Sequence, residues 1–289
     1  MDIRLIAMDL DGTALSQDRY HFTPRMERCL LEAHHRGIAV LPVTGRQFRF
    51  LPPAIQQDAP WKSLAVCCNG GQIRRLTDGS VLLAHYIPDT ELLKLLEVAD
   101  GLHIPVEFSA EGVLYLTEES LRLQRLQETY LDFHLNHILP HYSVLMEDLS
   151  KLCSKPDFVC EKVNLPYIPD SCRSHVEMML RRISVSWAWS GLRSIEITDR
   201  LATKASGLEA ACSMLNVDLA NVFAIGDSGN DIPMLRIAGF GVAMGNAPAE
   251  VQAAANAVTV TNEEDGAAVA IEHWALDITG TLCWDSGCC

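Results

Sequence analysis

The chain has 289 residues, of which 48% are hydrophobic, and its formal net charge is −14. The length suggests about two domains, and the acidic balance argues against nucleic acid or an anionic membrane as the main partner, because both require a basic surface. No apolar stretch is long enough to span a bilayer, no secretory signal is present, and the 10 cysteines lack the spacing of a disulfide framework. We therefore expect a protein of the reducing cytoplasm.

The first predicted strand ends in two carboxylates. Residues 3–8 are predicted as strand one, and its apolar run Leu5-Ile6-Ala7-Met8, typical of a buried parallel strand, is followed by Asp9 and Asp11. Side chains alternate along a strand, so these two carboxylates point the same way, about 7 Å apart. Two like charges so close would repel each other and raise the pKa of one carboxyl unless a cation lies between or beside them, and open parallel sheets bind ligands at the carboxyl ends of their strands. The pattern indicates a divalent-metal site, with an ordinary Asp-Gly turn as the alternative.

Strands and helices alternate up to residue 87. Thr23 is the expected N-cap of a helix that begins with Pro24 and ends before Gly37. Periodicity then predicts a strand, a helix interrupted by prolines, another strand, and a hairpin that turns at Asp78-Gly79. In chain order these elements occupy residues 38–43, 47–57, 64–68, 72–76 and 80–87.

The pattern changes after Pro88 and indicates a separate unit with its own sheet. Helices are predicted near residues 91–100, 118–137 and 171–182. Strand candidates lie at residues 106–108, 113–116, 158–163 and 183–189. Three histidines near the middle of this unit could gather on one helix face as metal ligands: His134, His137 and His141. Because Pro140 breaks that helix, a solvated helix face is the favoured interpretation.

Regular alternation resumes near residue 194. A strand at residues 195–198 is assigned to the core, and Lys204 follows it at the start of a helix. The next apolar strand ends at Ile225, so Asp227 is expected at the same sheet edge as Asp9. The elements of this part are predicted at residues 195–198, 203–215, 222–225, 232–238, 241–244 and 266–276.

Four separated segments carry the candidate site residues, and in chain order they are Asp9-Leu10-Asp11-Gly12-Thr13, Val43-Thr44-Gly45-Arg46, Lys204 and Gly226-Asp227-Ser228-Gly229-Asn230-Asp231. In this order they resemble the haloacid dehalogenase (HAD) superfamily of aspartate-nucleophile phosphohydrolases. The segment Ser194-Ile195-Glu196-Ile197-Thr198 and the run from Phe240 to Gly266 look like its Cof-type branch. The resemblance covers about the first 85 residues and those from about 193 to 274.

The resemblance implies a fold of the α/β class. It predicts a Rossmann-like core with a doubly wound parallel sheet, and an inserted α+β cap domain after the third core strand. The chain then divides into a first core part, a cap and a second core part: 1–85, 86–192 and 193–289. A tail from about residue 278, which carries Cys283, Cys288 and Cys289, is expected to be flexible.

The resemblance also implies catalytic and metal-binding roles. Asp9 would attack phosphorus and form an aspartyl-phosphate, and Asp11 would act first as general acid and then as general base. Asp9, Asp227 and the backbone carbonyl of Asp11 would bind Mg²⁺, a cation that prefers oxygen ligands. Asp231 would orient metal-bound water, although a simple favourable interaction with the helix dipole is an equal alternative.

Three residues are candidates for binding the phosphate group. Thr44 ends the second strand, where its hydroxyl and nearby N–H groups could hold a phosphoryl oxygen. Lys204 would neutralise both the phosphate and Asp9. Asn230 is a further candidate, with an ordinary turn role as its alternative. The family usually has glycine directly after the lysine, whereas Ala205-Ser206 intervenes here.

Arg46, Asn69 and Gly70 are candidates for contacting the substrate. Arg46 stands beside the threonine motif, where an arginine could grip an anionic or hydroxylated group; a surface salt bridge is the alternative. Asn69-Gly70 ends the third strand at the same predicted edge.

Together these features predict a Mg²⁺-dependent phosphatase that hydrolyses a small phosphorylated metabolite, such as a sugar phosphate or a cofactor-precursor phosphate. The cap would select the leaving group. A phosphosugar mutase that uses the same aspartyl-phosphate remains an alternative. A non-catalytic phospho-ligand sensor is a third possibility, against which the joint presence of four charged residues argues: Asp9, Asp11, Lys204 and Asp227.

Overall fold

A computed structural model of the protein describes residues 2–278; Cys283, Cys288 and Cys289 of the predicted tail lie outside these residues. The strands are β1 Leu5–Met8, β2 Ala39–Pro42, β3 Leu64–Cys67, β4 Gln72–Arg75, β5 Val81–Ala84, β6 Glu107–Ala110, β7 Val113–Thr117, β8 Ser143–Met146, β9 Lys162–Leu165, β10 Val185–Trp189, β11 Ile195–Asp199, β12 Val222–Gly226, β13 Phe240–Ala243 and β14 Ala257–Val258. The helices are α1 Pro24–His35, α2 Pro53–Gln56, α3 Asp89–Leu102, α4 Glu118–Arg125, α5 Glu128–Phe133, α6 Leu139–Tyr142, α7 Arg173–Leu180, α8 Lys204–Leu215, α9 Ile232–Ile237, α10 Ala249–Gln252 and α11 Gly266–Ala270.

The core is built on a five-stranded sheet with the order β14-β13-β12-β1-β2, in which every neighbouring pair is parallel. Met8, the last residue of β1, lies opposite Ile225 of β12 and Pro42 of β2. The residues that follow these three strands therefore meet at one edge of the sheet, which we call the carboxyl edge. The predicted α/β class with a parallel core sheet is confirmed.

Local sequence explains the core elements. All four residues of β1 are buried, as expected for a strand covered on both faces of a parallel sheet. In α1 the Thr23 hydroxyl accepts a hydrogen bond from the Met26 backbone N–H (3.1 Å), which is the predicted N-cap. The buried residues of α1 follow helical spacing: Met26, Cys29, Leu30 and Ala33.

A second sheet, which we call the cap sheet, has six strands in the order β10-β11-β9-β6-β7-β8. All its pairs are antiparallel except β7 with β8. One face packs against α3 and α7 in a separate apolar cluster that includes Phe108, Val163 and Ile197. A third, three-stranded sheet contains β3, β4 and β5, and a parallel bridge between Val43 and Val66 joins it to the core.

The structure corrects some predicted elements. The strand predicted at residues 195–198 was assigned to the core, but β11 pairs with β9 and β10 in the cap sheet. The reason is its alternating pattern: Ile195 and Ile197 enter the apolar cluster of the cap sheet, while Glu196 lies on the other face. The predicted division of the chain into domains stays a prediction, and this pairing favours a boundary after Asp199. The long helix predicted at 118–137 is instead broken between α4 and α5, and β8 was not predicted.

None of the helices that residues 2–278 form has the length and apolar character needed to cross a bilayer.

Candidate active site

A cleft of about 590 Å³ separates the carboxyl edge of the core from the cap sheet. Core side chains that line it include Asp9, Asp11, Thr44, Arg46, Lys204, Asp227 and Asn230. Cap side chains that line it include Glu107, Ser109, His134, Lys162, Asn164 and Glu196. Asn69, Gly70 and Asp231, which were also predicted site residues, stand behind this lining.

Lys204 connects two buried carboxylates. Its Nζ donates to Oδ1 of Asp9 and to Oδ1 of Asp231, each at 2.6 Å, and its side chain is almost completely buried. Lys204 is the first residue of α8, where Thr203 and Ser206 cap each other's backbone N–H groups. Ala205 stands where the family usually has a glycine, and the cap formed by Thr203 and Ser206 keeps Lys204 at the helix start despite this departure.

Three carboxylates crowd around this lysine. Asp9, Asp227 and Asp231 each offer an oxygen within 4.8 Å of the others. Burial raises the pKa of Asp9 well above its ordinary value, Lys204 opposes this, and the other two carboxylates add to it. Burial and Asp231 raise the pKa of Asp227 to about 6, again against the influence of Lys204. Lys204 thus contacts two of three clustered carboxylates, of which Asp9 and Asp231 are buried and Asp227 is partly buried, and this arrangement favours a further cation.

The chemistry of these carboxylates fits a divalent cation that prefers oxygen ligands. Asp231 is fully engaged: Oδ1 accepts from Lys204, and Oδ2 accepts from the backbone N–H groups of Asp227 (3.0 Å) and Ser228 (2.9 Å). Asp9 and Asp227 accept side-chain hydrogen bonds through Oδ1, from Lys204 and Thr13 respectively. Asp9 and Asp227 are therefore suited to be ligands, whereas Asp231 fixes the lysine and the loop after β12.

Gly12 allows the loops after β1 and β12 to approach each other. Its φ is +75°, and a Cβ atom there would lie 2.6 Å from Oδ2 of Asp227. Any larger residue would displace the carboxylate that completes the candidate metal site.

The carboxylate of Asp11 turns away from this cluster. Arg46 donates to it twice, from Nε to Oδ2 (2.7 Å) and from Nη2 to Oδ1 (2.6 Å). The same guanidinium also donates to the backbone oxygens of Phe50 and Arg19. Four of its five N–H donors are thus engaged, so the predicted contact of Arg46 with substrate stays a prediction, and its position favours a role in holding Asp11.

Thr44 and Asn230 line the cleft, as a phosphate-binding role requires. Thr44 is buried, and its hydroxyl accepts from the Arg46 backbone N–H (3.1 Å), which leaves its own O–H free to donate. Asn230 donates to Oδ1 of Asn69 (3.1 Å).

Asn69 and Gly70 support the cleft from behind. Asn69 donates to Oε2 of Glu196 (2.7 Å), and Gly70, with φ of +98°, lies so close to Thr203 that a Cβ would be 2.0 Å from its carbonyl oxygen. Their contacts favour a positioning role, and their predicted substrate contact stays a prediction.

Sequence reasoning missed the polar residues of the cap. The solvated face expected for His134 is wrong: its ring is mostly buried, and Nε2 lies 2.7 Å from Oε1 of Glu107, which is completely buried. Burial favours neutral forms of both groups, but their mutual attraction dominates, so the pKa of Glu107 is lowered and that of His134 is raised. The available signal was the alternation of polar with apolar residues in Glu107-Phe108-Ser109 and Lys162-Val163-Asn164.

Comparisons with known proteins agree with this architecture. Residues 6–271 match the family model of haloacid dehalogenase-like hydrolases, so the chain belongs to this family. A Haemophilus influenzae protein is 46% identical over 289 residues, covering 94% of this chain and 98% of its own length. Pyridoxal phosphate phosphatase YbhA of Escherichia coli is 29% identical over 279 residues, covering 93% of this chain and 97% of its own length.

Among solved structures, the HAD-superfamily phosphatase BT1666 from Bacteroides thetaiotaomicron superposes with a TM-score of 0.78 at 26% identity. The match covers 95% of this chain and 96% of BT1666. The prediction of a Cof-type HAD phosphohydrolase is confirmed.

Proposed function

We propose that the protein is a Mg²⁺-dependent phosphatase that hydrolyses a small phosphate monoester through an aspartyl-phosphate on Asp9. The observation that carries this proposal is the position of Asp9. Its buried carboxylate lies at the carboxyl edge, is held by Lys204 on one side, shares a carboxylate cluster with Asp227, and lines the cleft. Mg²⁺ bound by Asp9, Asp227 and the backbone carbonyl of Asp11 would neutralise charge on the transferring phosphoryl group.

The first chemical step joins Asp9 to phosphorus. A carboxylate oxygen of Asp9 forms a bond to phosphorus as the bond to the leaving-group oxygen breaks. Lys204 offsets negative charge on Asp9 and on the phosphoryl oxygens, and the Thr44 hydroxyl and Asn230 hold the phosphoryl group in line.

Asp11 is the proton donor in the first step and the proton acceptor in the second. It gives its proton to the departing alkoxide, and then takes a proton from the water that attacks phosphorus and releases inorganic phosphate from Asp9. Arg46 holds the Asp11 carboxylate to one side of the metal cluster, so Asp11 must leave this ion pair, or share it, to reach the leaving oxygen.

The substrate class follows the cleft size and the relatives. A volume of about 590 Å³ suits a metabolite rather than a macromolecule, and the E. coli relative is named for pyridoxal phosphate. We propose a sugar phosphate or a cofactor-related phosphate as substrate, and a reducing cytoplasm as location because cysteines in the described residues are free thiols.

Asp9→Asn tests the covalent scheme. With 4-nitrophenyl phosphate and Mg²⁺, we expect kcat to fall at least about 10⁴-fold. Asp100→Asn makes the same chemical change on an exposed position of α3 and should have no effect. Both variants should keep the circular-dichroism spectrum of the wild type. Substantial activity in folded Asp9→Asn would disprove the nucleophile assignment. In ¹⁸O-water, release of 4-nitrophenol without ¹⁸O-labelled inorganic phosphate would favour the mutase alternative, because a mutase passes the phosphoryl group to an acceptor alcohol.

A further inference from the structure

The face of the cap sheet that looks into the cleft carries a row of polar side chains. Glu107 and Ser109 of β6 lie opposite Asn164 and Lys162 of β9, and Asn164 lies opposite Glu196 of β11. Because side chains alternate along strands, all five project from the same face. We call them the cap polar row, and each of them lines the cleft.

The opposite face of the same strands is apolar. Phe108, Val163 and Ile197 stand between the members of the cap polar row and are completely buried against α3 and α7. Glu107 and Ser109 are also completely buried. Burying polar groups is costly unless they are hydrogen-bonded, so completely buried polar side chains on the face toward the cleft indicate a function beyond packing.

The charges of the cap polar row are already paired. Glu107 accepts from Gln124 (2.8 Å), His134 (2.7 Å) and Asn164 (3.2 Å). Lys162 donates to Oε1 of Glu196 (2.5 Å) and to the backbone oxygen of Gly45 (2.7 Å). A ligand that brings a further charge against this surface would find no free partner and would lose its hydration.

Two neutral groups of the row have open hydrogen-bonding capacity. Within residues 2–278, the buried Ser109 hydroxyl and the buried Oδ1 of Asn164 have no hydrogen-bond partner. Oδ1 of Asn164 accepts only, and the Ser109 hydroxyl can both donate and accept. A hydroxyl group of a ligand matches both requirements, because it too is donor and acceptor.

We propose that the cap polar row binds the leaving group through its hydroxyls, so that the enzyme selects phosphate monoesters of neutral, hydroxyl-rich alcohols over those that carry a second anion. This inference rests on the proposed phosphatase function. Arg19, exposed at the cleft over the ring of Phe133, is the one lining cation of the described chain without a carboxylate partner. Being exposed, it is screened by water and offers a second anion little binding energy.

Three substrates with the same carbon chain test the selection: pentyl phosphate, ribitol 5-phosphate and ribonate 5-phosphate. We expect kcat/KM for ribitol 5-phosphate to exceed that for pentyl phosphate about 100-fold, because buried polar groups stay unpaired against an alkyl chain. The kcat/KM for ribitol 5-phosphate should also exceed the kcat/KM for ribonate 5-phosphate at least about 10-fold, because the ribonate carboxylate finds no unpaired cation in the cap polar row. Equal values for ribitol and pentyl phosphate, or a preference for the carboxylate, would overturn the inference.

Ser109→Ala locates the effect in the row. We expect the preference for ribitol over pentyl phosphate to fall about 10-fold. The melting temperature should hold or rise, because an unpartnered buried hydroxyl is removed. Ser186→Ala, a matched change on β10 outside the cleft lining, should keep the preference. An unchanged preference in Ser109→Ala, or a large drop in its melting temperature, would show that Ser109 is structural and contradict the assignment.

The design separates the two proposals. If wild-type protein with Mg²⁺ does not hydrolyse 4-nitrophenyl phosphate, the phosphatase function fails. If it hydrolyses this ester but treats the three matched substrates alike, the phosphatase function stands and the hydroxyl selection is wrong.

Discussion

The two sides of the cleft differ in charge: the core side has an excess of negative charge, whereas the charges on the cap side are paired. On the core side, Lys204 donates to Asp9 and Asp231 while Asp227 lies beside them, so one positive charge faces three carboxylates and negative charge is left over. On the cap side, the carboxylates of Glu107 and Glu196 are matched by His134 and Lys162. Unbalanced charge attracts a cation and a phosphoryl group, which phosphoryl transfer requires. On the cap side the charges are paired and some hydrogen-bonding groups have no partner, so this surface can distinguish among leaving groups without repelling neutral ones.

The two sides also differ in how they hold their side chains. Core residues stand just after strands or at the start of a helix, where loops such as that of Gly12 come close together. Cap residues stand within strands, in register across β6, β9 and β11. The core arrangement depends on backbone turns, while the cap arrangement depends on side-chain alternation, which is easily varied without altering the fold.

Lys204→Met should have the largest effect, since it removes the cation that donates to both Asp9 and Asp231. We expect kcat/KM to fall at least about 10³-fold and the free energy of unfolding to fall by about 3–5 kcal/mol at pH 8, because two buried carboxylates lose their partner. Urea titration measures the stability. Adding Asp9→Asn should restore part of it, because one uncompensated charge is removed. Stability equal to wild type would contradict this account of the core.

Arg46→Lys tests whether Arg46 positions Asp11. A lysine keeps the positive charge but loses the two-point grip on the carboxylate. Alkyl phosphates need a proton donor for their poor leaving group, whereas 4-nitrophenyl phosphate needs little help. We expect kcat/KM, which reports transfer of the phosphoryl group to Asp9, to fall about 100-fold for alkyl esters and less than about threefold for the aryl ester. An equal loss for both esters would assign Arg46 to phosphate binding instead.

His134→Gln tests the charge balance of the cap. Glutamine can still donate to Glu107, but the positive charge is lost, at a cost of about 1–2 kcal/mol. The raised pKa of His134 gives stability that is full below its ordinary value of 6.5 and lost as pH rises through the folded value. The lowered pKa of Glu107 gives stability that is full above its ordinary value of 4.5 and lost as pH falls through the folded value.

The difference in melting temperature between wild type and His134→Gln should therefore be greatest between about pH 5 and pH 6 and smaller at pH 8.5. Lys162, which lowers the pKa of His134, moderates the effect. Glu119→Gln removes an exposed carboxylate from the same part of the chain and should give a flat profile. A pH-independent difference for His134→Gln would mean that the ion pair adds nothing beyond its hydrogen bond.

The catalytic edge of the core was largely predictable from sequence. Asp9 directly follows an apolar run, and Asp227 follows another, so parallel pairing alone brings them together. The orientation of side chains was not predictable. Nothing local in the sequence indicates that Asp11 turns toward Arg46, or that Asp231 accepts from Lys204, because both contacts depend on the packing of distant loops.

The strands and helices of the cap were largely predictable, but the set of side chains that the cap presents to the cleft was not. Alternation in Ile195-Glu196-Ile197 predicts a strand, yet it does not tell which sheet the strand joins. Because β11 lies beside β9 in the cap sheet, Glu196 contacts Lys162 and Asn69 and belongs to the cap polar row. Strand pairing at long sequence separation is set by the whole fold, so this part of the site required coordinates.

Two helix caps offer the smallest and most closely matched comparison of core and cap. Thr23 caps α1 in the core and Thr117 caps α4 beside the cap sheet, each accepting one backbone N–H at 3.1 Å. Thr23→Ala and Thr117→Ala should each cost about 1 kcal/mol. If core and cap are separate domains, as the sequence predicts, and unfold independently, calorimetry should resolve two transitions, with Thr23→Ala lowering only one and Thr117→Ala only the other. A single transition that both substitutions lower equally would mean that core and cap unfold as one cooperative unit, because each lost cap would then destabilise the same folded state.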